Sequence, residues 1–311
     1  MATQDIGPEQ LRRLADELEN FEEIAEQLRP SPGDIPELDG LEIDGLLMPL
    51  LGAIGGDHVV YVDFKKRYDL DALARRAAAA GRPEVARQLE LNKRRAGILL
   101  ADVAGHRITD ALVAAMLHQA FLLGAYYELE DHGQITTRLI EHLKTRFFES
   151  TNIKKLVAMV YGELDDAGRF RFVSAGHVPP LVFSRKYDRL MPLGADRTVS
   201  ETPLGLLPGE AGAAPNAPRP LAAPSSEHAV VNEIQLLGEG DVLLLATDGL
   251  TDHGGGRFVA EELGPALSRV KDFSAREICA FLRESILAYA PQEDDISFVV
   301  AKRLPAPPVP R

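Results

Sequence analysis

The 311-residue chain contains one cysteine and no tryptophan, and aromatic residues make up only 6% of it. With Cys279 alone, the chain cannot form an intrachain disulfide or a cysteine-based zinc site. The surrounding residues 277–282 are typical of a helix with a buried apolar side. We therefore interpret Cys279 as an inert core residue rather than a reactive thiol.

Positive charge is also scarce, because the chain has 34 Lys and Arg residues but 47 Asp and Glu residues. Its formal net charge is therefore −13. This balance argues against nucleic acid as a general partner and disfavours binding to an anionic membrane. No stretch approaches the roughly 18 apolar residues of a membrane span, and the N-terminus does not resemble a secretory signal. We therefore expect a soluble cytoplasmic protein without a nucleic-acid or membrane partner. An apolar content of 45% is enough for a full core.

The chain does have four acidic loops that lie beside apolar runs of strand type. Their acids are Asp57, Asp102, Asp248 and the adjacent pair Asp294 and Asp295. Carboxylates at strand ends can converge in a folded sheet, and carboxylate oxygens without sulfur or clustered histidine suit Mg²⁺ or Mn²⁺. Two ions bridged by a water would need about this many carboxylates and would activate that water against a phosphoryl group. The sequence therefore predicts a metal enzyme with four aspartate ligands, in which Gly56 and Gly249 permit close backbone approach.

The N-terminal region is predicted to be a helix over residues 8–29. Its apolar residues follow alternating steps of three and four: Leu11, Leu14, Leu18, Phe21, Ala25 and Leu28. The seam is short, so it is equally consistent with a coiled-coil dimer and with a helix packed on its own domain. A linker rich in helix breakers covers residues 30–40. We therefore treat residues 1–35 as a helix and linker that could serve dimerisation or switching.

Beyond the linker, strands and pairs of helices are segregated along the chain, which favours an α+β fold with antiparallel sheets. A helix is expected over residues 109–127, with an apolar side of Leu112, Ala115, Met116, Leu122 and Leu123. Further helices are expected over 134–149, 259–269 and 274–289, and strands over 41–64, 97–102, 155–164, 169–174, 181–184, 241–246 and 296–302. Residues 65–95 are interpreted as an insertion of one or two exposed helices. Residues 208–227 are interpreted as a low-complexity surface loop, and residues 304–311 as a disordered tail.

Five motifs occur in a fixed order: Ile54–Asp57, Ala101–His106, Ser174–Pro180, Asp241–Asp252 and Asp294–Val300. Together they resemble the SpoIIE/RsbU branch of the metal-dependent PPM (type 2C-like) serine/threonine protein phosphatases, over about residues 36–303. The resemblance implies a four-layer α-β-β-α sandwich, in which two antiparallel sheets are flanked by helices. It also implies hydrolysis of phosphoserine or phosphothreonine by a metal-activated water, with two Mn²⁺ or Mg²⁺ ions.

The resemblance assigns roles to residues of this chain by position. Asp57 and Asp102 match the catalytic acids that hold both metals and the bridging water, the backbone carbonyl of Val103 is a further ligand, and Asp248 and Asp294 complete the second ion's shell. Asp295 is assigned to the surroundings of the ligands or to a helix N-cap, with ligation by Asp295 as the alternative. Gly249 and His106 are also placed beside the ligands; His106 is either a general acid or an orienting residue, and His177 is structural.

The resemblance also suggests a substrate, a phosphorylated anti-sigma-factor antagonist of the STAS type in bacterial partner switching. Two alternatives stay open. The first is a catalytically weak or inactive phosphatase-fold protein that acts as a binding or regulatory module, because Arg107 stands where this branch usually has glycine and two insertions are present. The second is a hydrolase of small phosphate esters, although the sequence has no base-binding or sugar-binding signature.

Overall fold

The structure, a computed structural model, describes residues 7–52, 54–105, 108–149, 155–193, 198–206, 229–236 and 238–305. The predictions for His106, Arg107, the loop 208–227 and most of the tail 304–311 lie outside these residues. The helices are α1 Pro8–Glu26, α2 Phe64–Arg67, α3 Leu70–Ala79, α4 Pro83–Asn92, α5 Ile108–His132, α6 Thr137–Glu149, α7 Asp248–Thr251, α8 Gly264–Val270 and α9 Ala275–Tyr289, with a π-helical turn at Phe258–Leu263 before α8. The strands are β1 Leu41–Met48, β2 His58–Asp63, β3 Arg95–Val103, β4 Val157–Asp165, β5 Arg169–Ala175, β6 Leu181–Ser184, β7 Arg189–Met191, β8 Ser200–Glu201, β9 Asn232–Gln235, β10 Val242–Ala246 and β11 Ile296–Arg303.

The described strands form two sheets. The first, sheet A, has the order β1-β11-β10-β6-β7 and is antiparallel throughout. The second, sheet B, has the order β2-β3-β4-β5-β8, with β9 also paired to β5. Its described strands pair antiparallel except for the two-residue parallel contact of β5 with β8, and one isolated parallel bridge joins Met159 to Gly176. The predicted hairpin between β4 and β5 is confirmed, and the Asp165 side chain accepts backbone N–H bonds from Ala167 and Arg169 across the turn.

Three apolar clusters divide the domain into four layers. The central cluster lies between the sheets and includes Val59, Ile98, Leu100, Leu243 and Val299. A second cluster packs α3 to α6 on sheet B, and a third packs α8 and α9 on sheet A. Cys279 is buried in the third cluster, as expected for a core residue. The α-β-β-α sandwich that the sequence predicts is therefore confirmed.

The long helix α5 buries a different side from the predicted one. Its fully buried residues include Leu117, Phe121 and Leu129, whereas Leu112 and Leu123 of the predicted side are more than half exposed. The prediction was wrong because α5 is apolar on both sides, so that spacing alone cannot choose the packed face. An 18-residue window within Thr109–His132 has a mean hydropathy of 1.2, so the helix is long and apolar enough to cross a membrane, contrary to the expectation from apolar runs. Its buried face on sheet B is that of a core helix.

The insertion 65–95 forms the short helix α2 and the helices α3 and α4, which pack on the outer layer of sheet B. The expectation that it is exposed was only half right. The charged faces are exposed, while Leu70, Leu73 and Leu89 are buried in the same cluster as α5. Asp69 caps α3 by accepting the backbone N–H of Ala72. The insertion therefore extends the helical layer of the domain.

The helix α1 forms as expected but ends at Glu26, and none of its residues is buried. Leu11, Leu14 and Leu18 of the predicted seam are 55%, 58% and 39% exposed. The segment after α1 contacts the domain, because the Arg29 guanidinium donates to the Leu47 carbonyl at 3.1 Å. The first half of the seam thus lacks a partner on its own domain among the described residues.

Candidate active site

The strand register brings the four acidic loops to one edge of the sandwich. In sheet B, His58 pairs with Ala101, so Asp57 before β2 lies beside Asp102 near the end of β3. In sheet A, Ala246 pairs with Phe298, so Asp248 after β10 lies near Asp294 before β11. A hydrogen bond joins the two sheets at this edge, since the Thr247 hydroxyl donates to Asp57 Oδ2 at 2.8 Å.

The electrostatics of this edge are those of concentrated negative charge. Burial raises the pKa of Asp102 to about 7, and the charges of Asp248 and Asp294 and a hydrogen bond with Asp248 add to the rise. Burial and the charge of Asp102 raise the pKa of Asp57, and burial and the charge of Asp294 raise the pKa of Asp248. These mutual effects show that the acids face one another across the sheet ends.

No described cation neutralises this cluster. The ion pairs among the described residues all involve other acids. The neighbouring His58 and His118, whose Nε2 and Nδ1 atoms are 2.7 Å apart, are poor counter-charges, because burial lowers the pKa of His58 to about 3 and also lowers that of His118. Facing carboxylates without a counter-charge, and without thiolate or imidazole among them, fit a hard divalent cation.

The acids do not form a closed coordination shell. Within the part of the chain that the structure describes, no three His, Cys, Asp or Glu side chains are arranged to hold one ion. Mutual repulsion of like charges opposes such an arrangement unless a cation offsets it. The donor types and their convergence at one edge fit metal binding.

Asp294 and Asp295 occupy different environments. Asp295 is buried and accepts two backbone N–H bonds, from Leu50 and Gly56, both at 2.7 Å. Asp294 is exposed, and its charge raises the pKa of both Asp102 and Asp248. Asp295 therefore fixes the loop before Asp57. Asp294, in contrast, faces the acidic cluster.

Residues 92–304 match the family described as Stage II sporulation protein E (SpoIIE). The chain belongs to the SpoIIE family. The resemblance to the SpoIIE/RsbU branch of the PPM phosphatases is therefore confirmed, and the enzyme class expected from the sequence is that of this family.

Similar proteins agree with this assignment. The phosphoserine phosphatase RsbP of Bacillus subtilis is 31% identical over 93 residues, which cover 30% of this chain and 23% of the relative. The structure of the RsbU and RsbW domains of Rv1364c from Mycobacterium tuberculosis covers 88% of this chain and 63% of its own, with a TM-score of 0.61 and 20% identity. The SiaA-PP2C domain of Pseudomonas aeruginosa covers 95% and 98%, with a TM-score of 0.60 and 14% identity. The chain thus matches less than a quarter of the length of the curated relative, and the structures share its fold.

Thr247 is a residue of this SpoIIE-family site for which sequence reasoning found no role. It is fully buried, and its hydroxyl receives the Ser297 N–H at 3.0 Å while donating to Asp57. The hydroxyl therefore fixes the Asp57 carboxylate against β11. The position of Thr247 directly before Asp248 does not indicate this role, because its partner Asp57 lies 190 residues away in the sequence.

Close backbone packing explains the glycines of the site. A Cβ on Gly249 would lie 1.9 Å from the Asp295 carbonyl oxygen, and a Cβ on Gly56 would lie 2.6 Å from the Val103 carbonyl oxygen. Both contacts are far below van der Waals distance and involve backbone atoms. Gly249 therefore lets neighbouring acidic loops of sheet A approach each other, and Gly56 does the same in sheet B.

Gly249→Ala is expected to lower the free energy of unfolding by about 3 kcal/mol or more, because the added methyl group forces backbone apart at the start of α7. Urea denaturation of the metal-free protein measures this loss. Gly33→Ala is the matched control, since its Cβ would meet nothing closer than 3.8 Å. Equal stability of the two variants would contradict the packing described here.

Proposed function

We propose that this chain is a metal-dependent protein serine/threonine phosphatase that hydrolyses phosphoserine or phosphothreonine by a metal-activated water. The observation that carries the proposal is the convergence of Asp57, Asp102, Asp248 and Asp294 from four chain segments at one edge of a PP2C-type sandwich, with no described cation to neutralise them. Two Mn²⁺ or Mg²⁺ ions would supply a hydroxide nucleophile at neutral pH and clamp the attacked phosphoryl group.

The chain's own residues have distinct tasks in this proposal. Asp57 and Asp102 provide the carboxylates next to the reacting water, and the Thr247 hydroxyl fixes the orientation of Asp57. Asp248, Asp294 and the Val103 carbonyl complete the ligand set. Asp295 holds the Gly56 backbone and so places Asp57. The general-acid role of His106 stays a prediction.

The proposed substrate is a phosphorylated STAS-type anti-sigma-factor antagonist in bacterial partner switching, with the enzyme in the cytoplasm. The resemblance to RsbU and RsbP supports this substrate class. The net charge of −13 argues against general attraction of phosphate groups and favours recognition by specific contacts with a folded partner. Preference for a protein substrate is therefore expected.

The test compares three substrates at equal Mn²⁺ concentration: a serine-phosphorylated STAS antagonist, a generic phosphoserine peptide and a nucleoside triphosphate. The expected order of kcat/KM is antagonist, then peptide, then nucleotide. Faster turnover of the nucleotide would reject the protein-phosphatase proposal in favour of a small-ester hydrolase. Equal turnover of antagonist and peptide would reject the STAS substrate alone.

One observation favours a second candidate, a catalytically weak module that acts by binding. Among the described residues, no three His, Cys, Asp or Glu side chains are arranged to hold one ion. Absence of turnover on all three substrates, together with a stable complex with the antagonist, would support this candidate.

We also propose that α1 joins two copies of the chain through Leu11, Leu14 and Leu18. These leucines share one side of α1, are exposed, and follow the spacing of a coiled-coil seam. The C-terminal end of α1 borders a pocket whose lining includes Ala25, Leu28 and Arg29 from this segment and Asp57, His58 and Asp295 from the domain. Movement of a paired α1 would therefore reach the candidate active site, which supports a role in switching.

Leu14→Glu is expected to convert a dimer into a monomer of 33.9 kDa, because it places a charge in the apolar seam. Light scattering of the full chain measures the mass. Asn20→Glu adds the same charge at an exposed position outside the seam and should keep the dimer. A monomeric wild-type chain, or a dimer that Leu14→Glu leaves intact, would contradict the proposal.

A further inference from the structure

The loop that follows Asp102 is held by contacts outside the acidic cluster. The Ala104 N–H donates to the Leu156 carbonyl at 3.0 Å, which continues the pairing of β3 with β4 past the strand end. The Ala104 carbonyl accepts a hydrogen bond from Lys155 Nζ at 2.8 Å. The Val103 carbonyl, a proposed metal ligand, belongs to this loop. Contacts that hold the loop in place therefore also hold this carbonyl.

Lys155 also forms an ion pair with Asp110, in the first turn of α5. The Lys155 Nζ atom is 2.8 Å from Asp110 Oδ1. The Asp110 side chain is completely buried, and that of Lys155 is 29% exposed. An acid in the first turn of a helix is also favourably placed in the helix dipole. Lys155 therefore ties the loop to the start of α5 through a buried charge.

The same loop is in contact with the residue before Asp57. A Cβ on Gly105, whose φ is +118°, would lie 2.5 Å from Asp110 Oδ2, so the loop lies directly on the ion pair. A Cβ on Gly56 would lie 2.5 Å from the Gly105 carbonyl oxygen. A shift of the Val103–Gly105 backbone would therefore disturb both the Val103 carbonyl and the loop that places Asp57.

We propose that Lys155 and Asp110 are positioning residues for the metal centre, because their ion pair fixes the Val103–Gly105 backbone against the start of α5. The inference rests on the proposed function for the presence of metal ions. Neither residue touches the reacting atoms in this account. They act on two proposed ligands, the Val103 carbonyl and Asp57. The contacts that connect them are the hydrogen bond to the Ala104 carbonyl and the close packing of Gly56 and Gly105.

The proposal predicts that loss of the Lys155 bond weakens Mn²⁺ binding by roughly 10-fold, the usual effect of removing a group that orients a ligand. Lys155→Met alone removes the cation that pairs with the buried Asp110 carboxylate and can unfold the chain. The double variant Asp110→Leu/Lys155→Met replaces both charges with apolar groups and is expected to fold. Asp110→Asn keeps the shape of the side chain and is a milder third variant.

The experiment measures Mn²⁺ affinity by calorimetry on metal-free full-length protein, with thermal denaturation to select folded variants. Lys144→Met is the matched control, because Lys144 also pairs with an acid, Glu201, and its described hydrogen bond does not involve the Val103–Gly105 backbone. It should lose stability and keep wild-type Mn²⁺ affinity. The electron paramagnetic resonance spectrum of bound Mn²⁺ should differ from wild type only in the Lys155 and Asp110 variants.

The outcomes separate this inference from the proposed function. Weaker Mn²⁺ binding in the folded Lys155 and Asp110 variants, with Lys144→Met unchanged, supports the positioning role. Wild-type affinity in every folded variant of Lys155 and Asp110 would overturn that role alone. An absence of Mn²⁺ binding by the wild-type protein would overturn the proposed metal mechanism and, with it, this inference.

Discussion

Asp248→Asn is expected to reduce Mn²⁺-dependent turnover of a phosphoserine peptide by more than about 100-fold, since loss of a direct ligand should exceed the effect of losing an orienting group. The substitution keeps the shape of the side chain and removes one negative charge from a cluster whose charges act on one another. Fewer charges attract the cations less strongly. The measurement is kcat/KM over a range of Mn²⁺ concentrations, for wild type beside the variant.

The control for Asp248→Asn is Asp272→Asn. Asp272 is an exposed aspartate that pairs with Arg185 at 2.7 Å, and it is not among the acids that act on the site. Its variant should retain wild-type turnover. Comparable activity of Asp248→Asn and wild type would remove Asp248 from the catalytic centre, and recovery of the variant at high Mn²⁺ would locate the defect in metal affinity.

A comparison of Asp294→Asn with Asp295→Asn should distinguish an acid that binds metal from an acid that holds the backbone in place. Asp295→Asn is expected to lower the free energy of unfolding by about 1–3 kcal/mol, because an amide cannot accept both backbone N–H bonds that the carboxylate accepts. Asp294→Asn is expected to leave stability nearly unchanged and to weaken Mn²⁺ binding. Urea denaturation without metal and calorimetry with Mn²⁺ provide the two readings.

The adjacent positions of these residues make each variant the control for the other. If Asp294→Asn were the destabilised variant and Asp295→Asn the one with weakened Mn²⁺ binding, the two assignments would have to be exchanged. Loss of metal binding in both variants, without loss of stability, would instead make both acids ligands.

The segregated strand and helix patterns predicted an α+β fold with antiparallel sheets, and the resemblance based on the ordered motifs implied its four layers. The prediction failed where a helix is apolar on more than one side and where a strand is very short. The helix α5 is apolar on both sides, so its packed face depends on the sheet beneath it. The short strands β7, β8 and β9 were not predicted, since their two to four residues lack the apolar run that indicates the equally short β6.

The sequence predicted that these acids converge at one edge, but it did not indicate the residues that contact them. An aspartate next to glycine at a strand end is visible in the sequence, whereas Thr247 and Lys155 act on partners far away along the chain. Asp295 was placed near the ligands, but its bonds to Leu50 and Gly56 could be found only in the folded structure. Supporting contacts of this kind depend on tertiary geometry, which one sequence does not reveal.

The most direct test of the metal centre is the number of Mn²⁺ ions bound per chain at saturation, measured by calorimetry on metal-free protein. The four converging aspartates predict two ions per chain. Binding of a single ion, or of none, would contradict the two-metal account of this site.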